Sequence, residues 1–329
     1  MTKILVIRFS SIGDIVLTSP VLRCIKEQIP NVELHVLTKK QYSNLYSTNR
    51  HVDFVHEWGE ENNIVLSDLK TASFDYVIDL HKNIRTAKIK NHLKKTSFSF
   101  PKLNVQKWLY VNFKWNLMPD IHIVDRYFEA VKSLGVKNDN KGLEFRVKID
   151  FIAFSKRFPT TEKYLAVAIG AQFATKRMPA EKMAEVLNGI SLPIVIVGGP
   201  GDREEAEKIK QLLPNHDINN TCGGLSIHES AQVVKDAQLL ITNDTGMMHI
   251  AAAYELPIVS IWGNTVPDFG MYPYRPQAPN SYSIHEVKDL SCRPCSKIGF
   301  AKCPKGHFKC MMNQDVMGIK TQIDRFLNL

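Results

Sequence analysis

Asp244-Thr245-Gly246-Met247-Met248-His249 is the stretch whose residue types and spacing best suit chemistry. An apolar run, Leu239-Leu240-Ile241, breaks at Thr242-Asn243-Asp244-Thr245-Gly246 and resumes as a helical pattern through His249, Ala251, Ala252 and Ala253. The predicted order is strand, tight loop, helix. Asn243 and Asp244 are strong helix-capping types, and Gly246 lets the backbone approach a ligand with no Cβ in the way. The amides of Thr245, Gly246 and Met247 then lie at the positive end of the helix, where a phosphate is stabilised. His249 falls in the first turn and can face the same spot. A capped helix with a core histidine is the plainer reading of this spacing, and the residues alone leave both open.

The elements that must position this loop recur along the chain. Lys3 to Phe9 is a short apolar run suited to a buried parallel strand, and Ser10-Ser11-Ile12-Gly13-Asp14 turns the chain into a helix. Asp14 therefore stands near the carboxyl end of the first strand, the edge where open α/β sheets bind ligands. Glu33 to Leu37, Val52 to Glu57 and Phe74 to Leu80 read as further strands, with helical stretches between them. Arg8, Ser11, Asp14, His81, Lys82 and Arg85 gather near strand ends and can line a cleft for a polar, anionic acceptor. In the second half, strands are predicted at Tyr164 to Ile169, Leu192 to Val197 and Pro257 to Trp262, and a loop carrying Gln172, Lys176 and Arg177 enters a helix at Ala180. Gly198-Gly199-Pro200-Gly201 is not Gly-x-Gly-x-x-Gly, so the standard dinucleotide fingerprint is absent. The alternation predicts an α/β chain of two Rossmann-like, doubly wound domains, residues 1–155 and 156–313, with a terminal helix over 314–329 crossing back to the first.

Composition sets the outer limits. A chain of 329 residues with 44% hydrophobic and 23% charged residues can build two ordinary globular cores. No apolar run approaches the ~20 residues of a membrane helix, and the opening segment reads as a strand rather than a signal peptide, so a cytoplasmic location is expected. Between Lys82 and Lys114 there are nine basic residues and no acidic one, with Phe98, Phe100, Trp108, Tyr110, Phe113 and Trp115 in or just after the block. Nucleic acid, an anionic membrane surface or a phosphorylated glycolipid would each suit it, as would a solvated helix face followed by core aromatics.

Four segments in order carry a resemblance to a known family: Lys3 to Pro20 with its Ser-x-Gly-Asp turn, Gly170 to Pro179 with a Lys before a Pro, Gly198 to Glu205, and Asp244-Thr245-Gly246-x-x-His249-x-Ala251-Ala252. Together they resemble the ADP-heptose:lipopolysaccharide heptosyltransferases, inverting glycosyltransferases of the GT-B architecture, with the second-heptose type the nearest. The resemblance implies two facing domains, acceptor in the first and nucleotide-sugar in the second. It implies a nucleotide-sugar donor such as ADP-heptose, an inner-core glycolipid acceptor, contact with the inner membrane surface and no nucleic-acid partner. Residue by residue, Asp14 is implied to be the catalytic base and Lys176 the diphosphate-binding lysine. Asp244, Thr245, Gly246 and His249 are implied to hold the donor, with Gln172 and Arg177 beside them, Leu225 against the adenine and Glu204 or Glu205 near the ribose. Where the family carries an aromatic residue before the Pro of the second loop, this chain has Met178.

The residue chemistry agrees with that assignment. Inverting sugar transfer needs one base to take the acceptor proton, for which Asp14 suffices. No Asp-x-Asp metal motif occurs in the chain, and Lys176, Arg177 and helix amides can stabilise a departing diphosphate, so no cofactor is expected. A helix-capping role competes for both Asp14 and Asp244. Cys292, Cys295, Cys303 and Cys310, with His307, are spaced closely enough for a structural zinc, while free thiols and disulfides remain open alternatives. Two other functions stay in play: a nucleotide-sugar epimerase or hydrolase of similar fold, and a nucleic-acid or membrane-surface binder built on the basic block. Another sugar or glycan acceptor is likewise open.

Overall fold

The computed structural model describes residues 1–158 and 162–328 as two compact units. The first comprises Met1–Leu103 and Ile121–Arg146, the second Asn104–Asp120 and Val147–Leu329. Among the described residues, no helix is long and apolar enough to cross a membrane.

The first unit is built on five parallel strands: β1 (Thr2–Ile7), β2 (Val32–Lys39), β3 (Phe54–Trp58), β4 (Tyr76–Asp79) and β5 (Thr96–Ser99), ordered β3-β2-β1-β4-β5. β1 is the hub, pairing Ile4 with Leu34 on one side and with Tyr76 on the other. Helices cover both faces, which explains why Ile4 to Ile7 are buried without alternation. Leu5, Ile7, Phe9, Leu37, Phe74 and Val77 form one of the cores on this sheet.

The second unit holds six parallel strands: β6 (Leu165–Ala168), β7 (Ile194–Val197), β8 (Ile218–Asn220), β9 (Leu239–Asn243), β10 (Ile258–Trp262) and β11 (Tyr282–Glu286). Their order is β11-β10-β9-β6-β7-β8, the arrangement of a dinucleotide-binding sheet. Strand order reverses between β6 and β9 here, and between β1 and β4 in the first unit. At a reversal the connections leave in opposite directions, and a crevice opens at the carboxyl ends of the two central strands. Asp14 and His81 follow β1 and β4; Gly170 and Asp244 follow β6 and β9. The two parallel α/β sheets match the fold class expected.

Three boundaries differ from the sequence reading. The first unit ends at Arg146, not at 155, because Phe154 of the helix Phe151–Arg157 packs on Phe158, which packs on Tyr164 just before β6. Residues 104–120 leave the first unit altogether: Tyr110 meets Phe269 edge-on at 6.0 Å, and Asn116 donates to Asp268 at 2.7 Å. The terminal helix Val316–Leu327 joins the core of the second unit rather than the first, through Ile319 and Ile323. Its apolar spacing showed that one face is buried, but not against which sheet.

Ile323 is 1% exposed, and replacing it with Ala leaves a cavity among Leu187 and its neighbours. Ile323→Ala should cost about 2–5 kcal/mol in the urea transition of the second unit. An unchanged midpoint would show that this helix contributes nothing to that core.

Candidate active site

In the second unit, two strand-end loops are bolted together by one buried amide. Asn243, at the end of β9, donates from Nδ2 to the Ile169 carbonyl at 2.8 Å and accepts from the Met178 amide at 3.2 Å. It thereby fixes the loop after β6 against the loop after β9. Met178 is itself buried, its thioether packed beneath the loop. Lys176 is then delivered to Asp244: Nζ lies 2.5 Å from Oδ2, and Thr265 Oγ1 donates to the same carboxylate oxygen at 2.8 Å. Gly263, two residues before Thr265, passes so close to the Thr175 carbonyl that a Cβ would collide with it.

Asp244 is therefore not the cap of the following helix, Gly246–Ala252. Thr245 is the N-cap residue, in extended conformation, and its side chain makes no capping hydrogen bond. The carboxylate instead holds the loop through Lys176 and Thr265, and while the Met248 amide already bonds back to the Thr245 carbonyl, the Gly246 and Met247 amides ahead of it precede the helical ladder. Thr245 and Gly246 are half-buried beside it, and His249 is buried in the same turn. The arrangement sets an ammonium beside backbone donors at a sheet reversal, which suits a polyanion.

The remaining donor candidates are dispersed. Arg177 donates to the carbonyl of Ala171 and pairs with Asp202 at 3.3 Å, so it braces its own loop. Asp202 in turn accepts from the Gly199 amide, and a Cβ on Gly170 would overlap its carboxylate. Glu205 accepts from the Ala180 amide at 2.6 Å, satisfying the start of the helix Ala180–Leu187. Glu204 and Gln172 are exposed, while Leu225 is half-buried before the helix Ile227–Asp236.

In the first unit, Arg8 is the hub. Its Nη2 meets Asp14 Oδ1 at 2.5 Å, Nη1 donates to the Leu80 carbonyl at 2.5 Å and to Tyr127 at 3.0 Å, and Nε donates to Ser10. Burial alone would lower the pKa of this guanidinium, yet the Asp14 carboxylate and nearby groups raise it above the ordinary value, so it stays charged. Ser11 caps the helix Ile12–Val16, and Asp14 returns its carboxylate to the Ser11 amide at 3.1 Å and hydroxyl at 2.9 Å. Asp14 thus serves the helix start as part of a capping box, from the third helical position, while both its oxygens stay at the carboxyl edge of β1.

His81, after β4, meets the Phe9 ring edge-on, and Arg85 stacks over the same ring at 5.5 Å. Lys82 turns its ammonium to the Phe100 carbonyl. The buried carboxylate of Asp79 organises this loop, accepting from the His81 and Lys82 amides and from Thr86. Arg85 also rims a cleft of about 1050 Å³ with Lys39, Lys40 and Trp58. Sequence reading missed Asn243 as a bolt, Thr265 as a partner of Asp244, and Phe9. Only Asn243 left a signal, a buried-type polar residue ending an apolar strand.

The cysteine spacing does not translate into a gathered metal site. Among the described residues, no group of three or more His, Cys, Asp or Glu side chains is placed to hold an ion. Cys292 lies 3.8 Å from His307, whereas Cys310 is buried, which together with its cysteine neighbours pushes its thiol up to about 12. All six cysteines are free thiols.

The sequence profile of glycosyltransferase family 9 (heptosyltransferase) matches residues 65–299, well over half the chain. The chain belongs to this family. Among family 9 relatives, lipooligosaccharide heptosyltransferase 2 of Campylobacter jejuni is 28% identical over 319 residues, 91% of each chain. Lipopolysaccharide heptosyltransferase 1 of Escherichia coli K12 is 22% identical over 80% of this chain and 89% of its own. The structure of E. coli ADP-heptose lipopolysaccharide heptosyltransferase II superposes with a TM-score of 0.74 at 17% identity, covering 99% of this chain and 98% of that one. The family 9 glycosyltransferase of Veillonella parvula gives 0.78 at 21%, covering 99% and 97%. Family 9 membership makes this protein a glycosyltransferase and leaves the epimerase, hydrolase and nucleic-acid readings without support.

Two histidines, His56 within β3 and His81 just after β4, give the first unit a defined response to acid. Burial lowers the pKa of His81, helped by Arg8 and Lys102, to about 4, and burial beside His35 lowers His56 to about 4. Both are neutral in the folded chain, while the unfolded chain takes up protons below about 6.5, so stability is full above that pH and is lost as pH falls toward 4. Each can contribute a slope of up to about 1.4 kcal/mol per pH unit across that window. Urea midpoints of the first unit should fall between pH 6.5 and 4.5, and less steeply in His56→Gln/His81→Gln. Equal slopes would contradict the assignment.

Proposed function

We infer that the protein transfers a heptose, with inversion, from ADP-heptose to the inner core of a lipopolysaccharide acceptor in the cytoplasm. Family 9 membership supports glycosyl transfer, and relatives named for lipooligosaccharide and lipopolysaccharide heptose transfer support the sugar and the acceptor class. The observation that carries the residue roles is the Lys176–Asp244 pair at the β6/β9 reversal, a cation held ready beside the open end of a helix. In this reading the donor diphosphate takes up Lys176 and the amides after Asp244.

Asp14 takes the proton of the acceptor hydroxyl as that oxygen attacks the anomeric carbon and the bond from that carbon to the diphosphate breaks. The pair of electrons leaves with ADP, whose growing negative charge is met by Lys176 and the helix amides. Arg8 and Ser11 orient the Asp14 carboxylate. Positive potential from the chain itself makes a metal ion unnecessary in this scheme. Arg8, Ser11, His81, Lys82 and Arg85 form the acceptor side, where an anionic saccharide meets cations and one neutral imidazole. Thr245, Gly246 and His249 complete the donor side with Leu225, and Gln172, Arg177 and Glu204 border it.

Asp14→Asn should lower kcat by about 10²- to 10⁴-fold while leaving donor affinity nearly unchanged, because it keeps the side chain's shape and removes the base. Lys176→Ala should weaken both ADP-heptose binding and turnover. Near-normal turnover in Asp14→Asn overturns the base assignment. Across ADP-, GDP- and UDP-sugars, the ADP compound should raise the melting temperature most. Selective stabilisation by a UDP-sugar would replace the donor.

A further inference from the structure

The second unit carries an aromatic and basic surface to which the proposed transfer assigns no role. Along and just after the helix Asn104–Phe113, Trp108, Phe113, Trp115 and Leu117 are 52%, 51%, 60% and 59% exposed. Their rings form a continuous ladder: Trp108 to Phe113 is 5.4 Å between centroids and Phe113 to Trp115 is 5.3 Å. The opposite side of the segment is pinned to the unit. Tyr110 packs on Phe269, Lys107 lies over the same ring, and Asn116 bonds to Asp268. The ladder is therefore the outward side of a fixed element, where monomeric proteins seldom leave neighbouring large rings half uncovered.

Lys114 joins this segment to a second one. Its ammonium donates to the carbonyls of Pro294 at 2.8 Å and Cys292 at 3.4 Å, and its pKa is lowered by burial and, to a smaller extent, by Lys305 nearby. From Leu290 to Met312 the chain has no Asp or Glu, and neither does 104–119. Lys297, Lys302, Lys305 and Lys309 are exposed there, and Ile298 is 60% exposed. The result is a lysine-rich rim beside an apolar ladder, with Asp268 the carboxylate that Asn116 binds on the pinned side. A second copy of this chain would bring like charges together, which disfavours self-association. Indole and phenyl rings settle at the boundary between headgroups and hydrocarbon, and clustered lysines are drawn to anionic headgroups.

We propose that this surface seats the protein on an anionic phospholipid bilayer, with Trp108, Phe113 and Trp115 entering the headgroup layer and the lysines of 297–309 facing lipid phosphates. The proposal rests on the reading that the acceptor is a membrane-held glycolipid, and it names the surface through which the enzyme reaches it.

Flotation with vesicles tests it directly. The full chain should bind vesicles of equal parts phosphatidylcholine and phosphatidylglycerol, should not bind phosphatidylcholine alone, and should be released by rising salt. Trp108→Ser/Trp115→Ser and Lys302→Glu/Lys305→Glu should each weaken binding by about tenfold or more, with melting temperatures near wild type, since all four side chains are exposed. Both variants should transfer sugar to a deacylated, water-soluble acceptor as fast as wild type. Absence of binding to the anionic vesicles, or binding unchanged in both variants, overturns the proposal. So does loss of turnover on the soluble acceptor, which would place the surface in the active site, or a wild-type dimer that the variants dissolve. Vesicle binding without transfer to either acceptor would sink the proposed function and leave the surface standing.

Discussion

A lysine held against a carboxylate between two strand ends is the interaction on which the second unit's strand-end loops depend. The pair of Lys176 and Asp244 is only partly open to water, so neither charge can be left alone cheaply. Its geometry is set by neutral groups: Asn243 locks the two loops and Thr265 takes up further capacity of the carboxylate. In the proposed donor role, an incoming diphosphate would meet a cation already aimed, with its charge partner fixed behind it. The entropy of ordering a long lysine side chain is met during folding, not during binding.

The first unit reaches a similar end by a different route. One buried guanidinium, Arg8, gathers the end of β1, the loop after β4, the Tyr127 hydroxyl and Asp14. A lysine in its place has too few fixed donors to span those directions at once. Both arrangements sit where strand order reverses, so topology chooses the location and a few polar side chains choose the chemistry.

Much of this was legible in the residues. Unbroken apolar runs such as Ile194 to Val197 announced parallel strands covered on both faces, and the Asp-Thr-Gly stretch announced a loop into a helix. The positions of Asp14 and Lys176 in loops after strands were legible as well. What escaped reading was partnership at long range. Glu205 looked available to a ribose, yet it satisfies the Ala180 amide of another helix. Asp244 had the composition of a cap, but a nearby lysine outcompeted the amide. The aromatic block after Lys82 carried a pattern fit for a helix, with nothing local to say that its inner side would find Phe269. Such choices are made by distant surfaces, which no local spacing encodes.

The excursion of 104–120 has a consequence for how the two halves can be separated. The polypeptide passes between units after Leu103, after Asp120 and after Arg146. A single cut at any of these points gives no pair of self-sufficient fragments: cleaving after Arg146 strips the second half of the segment that anchors at Phe269 and Pro294, and leaves that segment dangling from the first. Exchange of whole halves between related enzymes, by recombination or by gene fusion, must therefore carry this short insert with the partner downstream of it, or lose a piece of that partner's wall.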